Sequence, residues 1–201
     1  MAGDPNTVLA IVSGRPKFAL EGWFKNPAMV LVADHGAWTR YDGEWTHVDV
    51  DFDEIKKHVR PIMERTTMRT PGSVIEEKDY ALVWHYRNVP HELAYVRTSE
   101  LHRELQNELE DMDVTILKGR SVLEVKPAGF NKGDAAAELD ALYQPDFVLC
   151  AGDDYTDEDM FEALGDDSFT IHVGTHDTKA RFQLASVSDT VKLIELLAKQ
   201  K

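Results

Sequence analysis

Phe147-Val148-Leu149-Cys150-Ala151-Gly152-Asp153-Asp154-Tyr155-Thr156-Asp157-Glu158 is the stretch that decides the fold. Five apolar residues run without a polar break and stop at a glycine followed by acids. A short unbroken apolar run bounded by a turn predicts a strand buried on both faces of a parallel sheet. Working outward, Val8-Leu9-Ala10-Ile11-Val12 stops at Ser13-Gly14-Arg15-Pro16, and Val30-Leu31-Val32-Ala33 stops at Asp34-His35-Gly36. Thr170-Ile171-His172-Val173 stops at Gly174. Helical patterns lie between them, over Phe18 to Phe24, Asn131 to Tyr143, Thr156 to Leu164 and Val187 to Leu197. Buried strands alternating with helices predict an α/β fold, a doubly wound, Rossmann-like parallel sheet. In such a sheet ligands collect at the carboxyl ends of the strands. Those ends carry Ser13, Asp153 and Asp154.

The middle of the chain follows another pattern. Thr39 to Trp45 holds the Asp42-Gly43 turn signal of a hairpin. Ile55, Val59, Ile62 and Met63 recur at helical spacing, with a kink expected at Pro61. Ser73 to Tyr86 reads as two strand pieces around Lys78-Asp79, and Leu93 to Leu109 as a helix. Val114 to Lys126 reads as a hairpin turning at Lys118-Gly119-Arg120. This order predicts a small α+β domain inserted in the sheet domain, with boundaries at 1–36 and 126–201 for the core and 37–125 for the insert.

Composition narrows the class. The chain has 201 residues, 43% hydrophobic and 29% charged, which is the balance of a globular protein. Its 22 basic and 36 acidic side chains give a net charge of −14, which excludes a nucleic-acid backbone as partner. No apolar run reaches the roughly 18 residues of a membrane helix. Met1-Ala2-Gly3-Asp4-Pro5 lacks the basic and apolar regions of a signal peptide. The single cysteine, Cys150, excludes an intramolecular disulfide and fits a reducing compartment, so the expected location is cytoplasmic.

Three features carry chemistry. Asp153, Asp154, Asp157, Glu158 and Asp159 crowd one strand-to-helix turn. Thr156 as N-cap with Asp159 three residues on, in the favourable field of a helix start, explains part of this. A site for a hard cation such as Mg²⁺ explains the two aspartates directly after a buried strand. Both readings stand open. Lys132 follows the N-cap candidate Asn131 in a first helical turn, where a cation is disfavoured unless an anion is bound. An exposed lysine on a frayed end is the alternative. In the insert, Glu76 and Lys78, His85 and Arg87, and Glu124 and Lys126 are each two residues apart, so each pair shares a sheet face. Leu82, Trp84 and Tyr86 take the opposite face. A polar face with donors and acceptors suits a hydroxyl-rich ligand, and a solvated face with cross-strand ion pairs is the alternative.

Together these motifs resemble a known family. Ser13-Gly14-Arg15, Lys132 and Gly152-Asp153-Asp154-x-Thr156-Asp157-Glu158 are similar to motifs two, three and four of the haloacid-dehalogenase-type (HAD) phosphatases. Ala33-Asp34-His35-Gly36, Glu76-x-Lys78, His85-Tyr86-Arg87, Glu124-x-Lys126-Pro127 and Asn131-Lys132-Gly133 resemble the trehalose-6-phosphate phosphatase branch, from about Asn6 to Leu197. The resemblance implies a HAD core with an inserted cap. It implies hydrolysis of trehalose 6-phosphate with Mg²⁺ as cofactor, and occurrence behind a fused or associated trehalose-phosphate synthase. By the same resemblance Ser13 and Lys132 bind phosphate, and Asp153 holds the metal with Asp154 and Asp157 in support. Glu76, Lys78, His85, Arg87, Glu124 and Lys126 read the two glucose rings, with Arg15, His35 and Asn131 also placed at the substrate. Another sugar phosphate (sucrose phosphate or mannosylphosphoglycerate) and a non-catalytic sugar-phosphate-binding or regulatory module are the alternatives.

One departure stands out. The family starts catalysis from an Asp-x-Asp-x-Thr segment on its first, central strand, and the sequence contains none. Asp49-Val50-Asp51-Phe52-Asp53 follows no apolar run and falls in the insert. The resemblance therefore implies a fragment, a late start, or a chain completed by another polypeptide, with open sheet edges beside Ser13 and Ala151 and no appreciable hydrolysis. It also implies that Lys132 lies within salt-bridge range of the acidic turn.

Overall fold

The computed structural model describes residues 4–199, which form two compact units. One combines the chain up to His47 with the chain from Phe130 onward, and the other is Val48–Gly129. The ends of the 1–36 and 126–201 assignment, residues 1–3 and 200–201, lie outside the described residues.

In the first unit, β1 (Ala10–Val12) pairs in parallel with β2 (Val30–Ala33). β3 (Trp38–Tyr41) then adds antiparallel to β2, and β4 (Glu44–His47) antiparallel to β3. This corrects the assignment of the Thr39–Trp45 hairpin to the insert. Its strands extend the core sheet through Leu31↔Arg40 and Ala33↔Trp38, so the insert starts at about residue 48. Asp42-Gly43 does make the turn, both residues having positive φ.

Strand period two explains how β2 is buried on both faces. Val30 and Val32 pack with Ala10, Val12 and the α4 (Lys132–Tyr143) residues Ala135 and Leu139. Leu31 and Ala33 pack on the other face with Leu20 of α1 (Lys17–Trp23), Phe24, Trp38 and Trp45. A second sheet has the order β11-β10-β9, all parallel: β9 (Leu149–Gly152), β10 (Phe169–Val173) and β11 (Phe182–Leu184). α5 (Glu158–Leu164) packs against β9, β10 and α4. α6 (Val187–Lys199) follows β11. The parallel strands thus lie in two sheets, in which β1 and β9 are end strands.

The second unit is an antiparallel sheet with the order β5-β6-β8-β7 and two helices. Its strands are β5 (Val74–Glu77), β6 (Leu82–His85), β7 (Val114–Gly119) and β8 (Val122–Pro127). α2 (Phe52–Met68) runs through Pro61, and α3 (His91–Glu108) packs beside it. Leu82, Trp84, Leu123 and Val125 form a closed core with Val59, Met63, Leu101 and Leu105 of the helices, and Tyr86 packs against it. Trp84 Nε1 donates to Thr67 Oγ1 at 3.1 Å, which satisfies the one polar atom of that buried ring. The β7–β8 turn is Arg120-Ser121, one residue later than predicted, because Gly119 still pairs with Val122. No helix among the described residues is long and apolar enough to cross a membrane.

Candidate functional site

Lys132 is the first residue of α4, capped by Asn131, whose side chain accepts from Asp134 N at 2.9 Å. A lysine at a helix start is opposed by the helix dipole, and this one is 6% exposed. Its compensation is Asp157: Lys132 Nζ donates to Asp157 Oδ1 at 2.7 Å, with Asp157 also 6% exposed. The other oxygen, Oδ2, accepts from Asp153 N at 2.8 Å and Asp154 N at 2.9 Å. Both oxygens of Asp157 are thereby engaged, and it fixes the backbone of the turn after β9. α4 and α5 come close enough for this because residue 133 is glycine; a Cβ there would overlap the Asp159 carbonyl.

Asp154, not Thr156, is the N-cap of this turn. Its side chain accepts from Tyr155 N at 2.8 Å, in a reciprocal capping box with Asp157. The capping expectation was right for the turn and wrong for the residue, because a short 3-10 segment (Tyr155–Asp157) precedes α5. Asp153 is exposed, and its carboxylate has no hydrogen-bond partner among the described residues. Beneath the turn, burial and the Asp157 charge push the Cys150 thiol up to about 12, with Lys132 opposing the rise.

Ser13 follows β1. Its N–H donates to Val32 O at 2.9 Å, and Oγ accepts from Arg15 N at 3.2 Å. That bond does not use the hydroxyl hydrogen of Ser13. The Asp34–Gly36 turn grips this loop: Asp34 N donates to Arg15 O at 2.9 Å and His35 N to Ser13 O at 3.0 Å. Asp34 and His35 both have positive φ, a sparsely populated conformation for residues with a Cβ. The His35 ring lies against Gly14, where a Cβ would overlap its Nε2. Gly36, at φ +112°, lets the turn meet Asn131, whose carbonyl would stand 2.8 Å from a Cβ. The structure therefore links the Ser13 loop, the His35 turn, Asn131–Lys132 and the acidic turn into one continuous cluster. Arg15 is exposed, and its guanidinium lies 5.5 Å over the Trp23 ring.

The fit to Mg²⁺ is narrow. Among the described residues no three His, Cys, Asp or Glu side chains gather as a metal cage. Asp157 has both oxygens engaged and Asp154 is a cap, so Asp153 is the carboxylate left to offer. Mg²⁺ commonly uses one or two carboxylates with water and substrate phosphate, so an exposed Asp153 fits it.

In the second unit, Glu76, Val83 and Glu124 are in register across β5, β6 and β8 and so share a face. His85 Nε2 lies 2.7 Å from Glu76 Oε2, and Lys78 Nζ lies 3.4 Å from Glu124 Oε1. Lys126, 3% exposed, donates to Pro127 O at 3.0 Å. Arg87 lies beyond the end of β6, exposed and outside these pairs. Sequence reasoning gave Glu158 no partner outside its own turn and assigned no site role to His172 or Thr178. Yet Glu158 accepts from Thr178 Oγ1 at 2.8 Å and from Lys179 N at 2.6 Å. No spacing links residues so far apart in sequence.

The sequence model of the trehalose-phosphatase family matches residues 1–188. The chain is 37% identical over 198 residues to a bifunctional trehalose-6-phosphate synthase/phosphatase of Thermoproteus tenax, covering 98% of this chain and 27% of that protein. It is 36% identical over 188 residues to a trehalose-phosphatase of Saccharomyces cerevisiae, covering 82% of this chain and 21% of that one. Among solved structures it is similar to the C-terminal domain of C. albicans trehalose-6-phosphate phosphatase, with a TM-score of 0.87 and 31% identity over 98% of this chain and 80% of that one. A haloacid dehalogenase-like hydrolase from Bacteroides thetaiotaomicron, 13% identical with a TM-score of 0.71, shares the fold. The chain spans about a quarter of the length of the curated relatives it matches. It belongs to the trehalose-phosphatase family, with a HAD-like α/β core.

Proposed function

We propose that this member of the trehalose-phosphatase family carries the phosphate- and sugar-binding parts of a trehalose-6-phosphate phosphatase, with trehalose 6-phosphate as its ligand in the cytoplasm. The observation that carries this reading is the buried Lys132–Asp157 pair, beside a turn whose backbone Asp157 itself fixes. The Lys132 ammonium lies in a dry setting, where it acts on a phosphate dianion with little screening. The Ser13 hydroxyl, with its oxygen already accepting from Arg15 N, donates to a second phosphate oxygen. Asn131 and His35 hold these two donors in place, and Arg15 stands at the rim. Asp153, supported through Asp154 and Asp157, would hold Mg²⁺, which when bound supplies charge to neutralise phosphoryl oxygens. In the inserted unit, Glu76, Lys78, His85, Glu124 and Lys126 share a face of alternating charge that suits sugar hydroxyls, with Arg87 at its edge. The relatives named as synthases support a place beside a trehalose-phosphate synthase in a longer polypeptide.

Covalent phosphoryl transfer needs an attacking carboxylate. None of the residues named above is assigned that part; theirs is to bind the substrate. Titration calorimetry of this chain with trehalose 6-phosphate and Mg²⁺ should give micromolar binding, and a phosphate-release assay no appreciable rate. Sucrose phosphate serves as the competing ligand. Undetectable trehalose 6-phosphate binding at millimolar ligand, or equal binding of sucrose phosphate, would remove the reading.

A further inference from the structure

We propose that Glu158 is a positioning residue that fastens the loop between β10 and β11 to the phosphate turn and thereby sets the affinity of the Lys132–Asp157 site for phosphate. This rests on the phosphate-site reading above and extends it from the last residue of the acidic motif to His172, Thr178 and Lys179, which lie outside the motifs quoted for the site.

A glutamate in the first turn of a helix ordinarily stays in solvent, where the dipole alone favours it. The Glu158 side chain is instead only 15% exposed, and it spends both oxygens on a segment twenty residues away. Oε1 accepts from Thr178 Oγ1 at 2.8 Å, and Oε2 accepts from Lys179 N at 2.6 Å. Thr178 Oγ1 in turn accepts from Ala180 N at 3.0 Å, and Arg181 N donates to Thr170 Oγ1 at 3.0 Å. One turn along α5, Glu162 pairs with Lys179 Nζ. Three consecutive amides, of Lys179, Ala180 and Arg181, are therefore tied down at the end of the loop.

The start of the loop is held by β11, close to a neighbour of the same carboxylate. Gly174 N donates to Leu184 O at 2.8 Å, and a Cβ on Gly174 would stand 3.0 Å from His172 Nε2. His172 is 4% exposed, and its Nδ1 lies 3.7 Å from Glu158 Oε1. Glu158 thus ties the end of the loop and the Gly174–Leu184 hydrogen bond its start, with the buried His172 beside both, leaving Thr175, His176 and Asp177 exposed at its tip. The residue before Glu158 is Asp157, which holds Lys132 and the Asp153 and Asp154 amides. Adjacent carboxylates of one short turn thus serve two walls. Loosening the Glu158 side shifts the backbone from which Asp157 acts.

The test compares Glu158→Gln, Thr178→Val, Thr178→Ser and the double variant Glu158→Gln/Thr178→Val. Calorimetry with inorganic phosphate and site-resolved amide exchange are the readouts. A glutamine accepts from one donor and turns an N–H toward the other. Hydrogen bonds to a charged group carry enough free energy that Lys179 N should exchange about tenfold faster and phosphate bind roughly fivefold to tenfold more weakly. Thr178→Val should match Glu158→Gln, Thr178→Ser should behave as wild type, and the double variant should be no worse than the more affected single variant. The proposal is overturned if Thr178→Val frees Lys179 N while phosphate affinity stays within about twofold of wild type. It is equally overturned if Lys179 N exchange does not change. Should wild type bind no phosphate, the function proposed above fails alone. The tether is then judged by the Asp153 and Asp154 amides, which must lose protection in Thr178→Val together with Lys179; their persistence refutes it.

Discussion

Replacing Lys132 by methionine tests the core of the site without any need for activity. The substitution keeps an unbranched chain of similar length and removes the cation facing Asp157 across 2.7 Å, in a place where both side chains are under a tenth exposed. Breaking a buried pair from one side leaves an uncompensated charge, at a cost of about 3–5 kcal/mol. Asp157 retains two backbone N–H donors, so the lower end applies, about 3 kcal/mol. For a chain of this size that corresponds to a melting point lower by roughly 6–12 °C. Thermal unfolding followed by far-ultraviolet circular dichroism gives the number. A second arm repeats the scan in phosphate. Wild type should gain about 2.7 kcal/mol at a hundredfold excess over its dissociation constant, and Lys132→Met should gain nothing. If Lys132→Met melts within about 2 °C of wild type, the pair is not a buried one in solution. If it keeps the phosphate shift, Lys132 is not the phosphate ligand.

Three further outcomes follow from the same geometry. Burial and the Asp157 charge push the Cys150 thiol up to about 12, so iodoacetamide should label the native chain far more slowly at about pH 8 than the urea-unfolded chain. Because the folded value lies above the unfolded one, the native state keeps a proton that the unfolded state loses. That contribution is complete below the unfolded value of 9.0 and fades as pH rises toward about 12. Urea midpoints should therefore show wild type losing more stability than Cys150→Ala over that window; parallel curves would contradict the burial. Gly133→Ala should destabilise by roughly 1–3 kcal/mol in urea unfolding, since its Cβ would meet backbone at Asp159 that cannot rotate away. Asp153→Asn should leave the melting point within about 2 °C of wild type but abolish any Mg²⁺-dependent gain in phosphate binding, whereas Asp157→Asn should lower the melting point with or without Mg²⁺. Equal behaviour of the two variants would refute the division of roles between them.

The parts of the fold that sequence makes visible are those where one residue pattern has one physical solution. Val30–Ala33 is apolar at every position, and only a strand covered on both faces buries all four, as α1 and α4 do. The Thr39–Trp45 hairpin was visible as a hairpin but not as part of the core. A turn signal fixes which two strands pair with each other, and says nothing of which sheet edge the pair joins. Here the edge is β2, met through Ala33↔Trp38 one tight turn after the strand ends. β11 escaped notice because Phe182–Leu184 is three residues long and is followed by no strand to alternate with.

In the site, sequence marked the acidic turn and left open what the acids in it do. A carboxylate after a buried strand reads equally as a metal ligand or as a backbone anchor, because both need the same residue at the same place. Burial separates the two. Asp157 lies where water cannot solvate it, so it takes every donor within reach: one ammonium and two amides. Both of its oxygens are engaged in this way, which is why the proposed Mg²⁺ site falls to the exposed Asp153 carboxylate instead. Glu158 repeats the logic one residue later. A charge that the helix dipole would stabilise in solvent is buried instead, and the cost is met by donors from a loop that no spacing in the sequence connects to it. The acids of one turn therefore differ in what surrounds them: Asp153 and Asp154 are exposed, Asp157 is buried under its donors, and Glu158 is largely covered by the loop it holds.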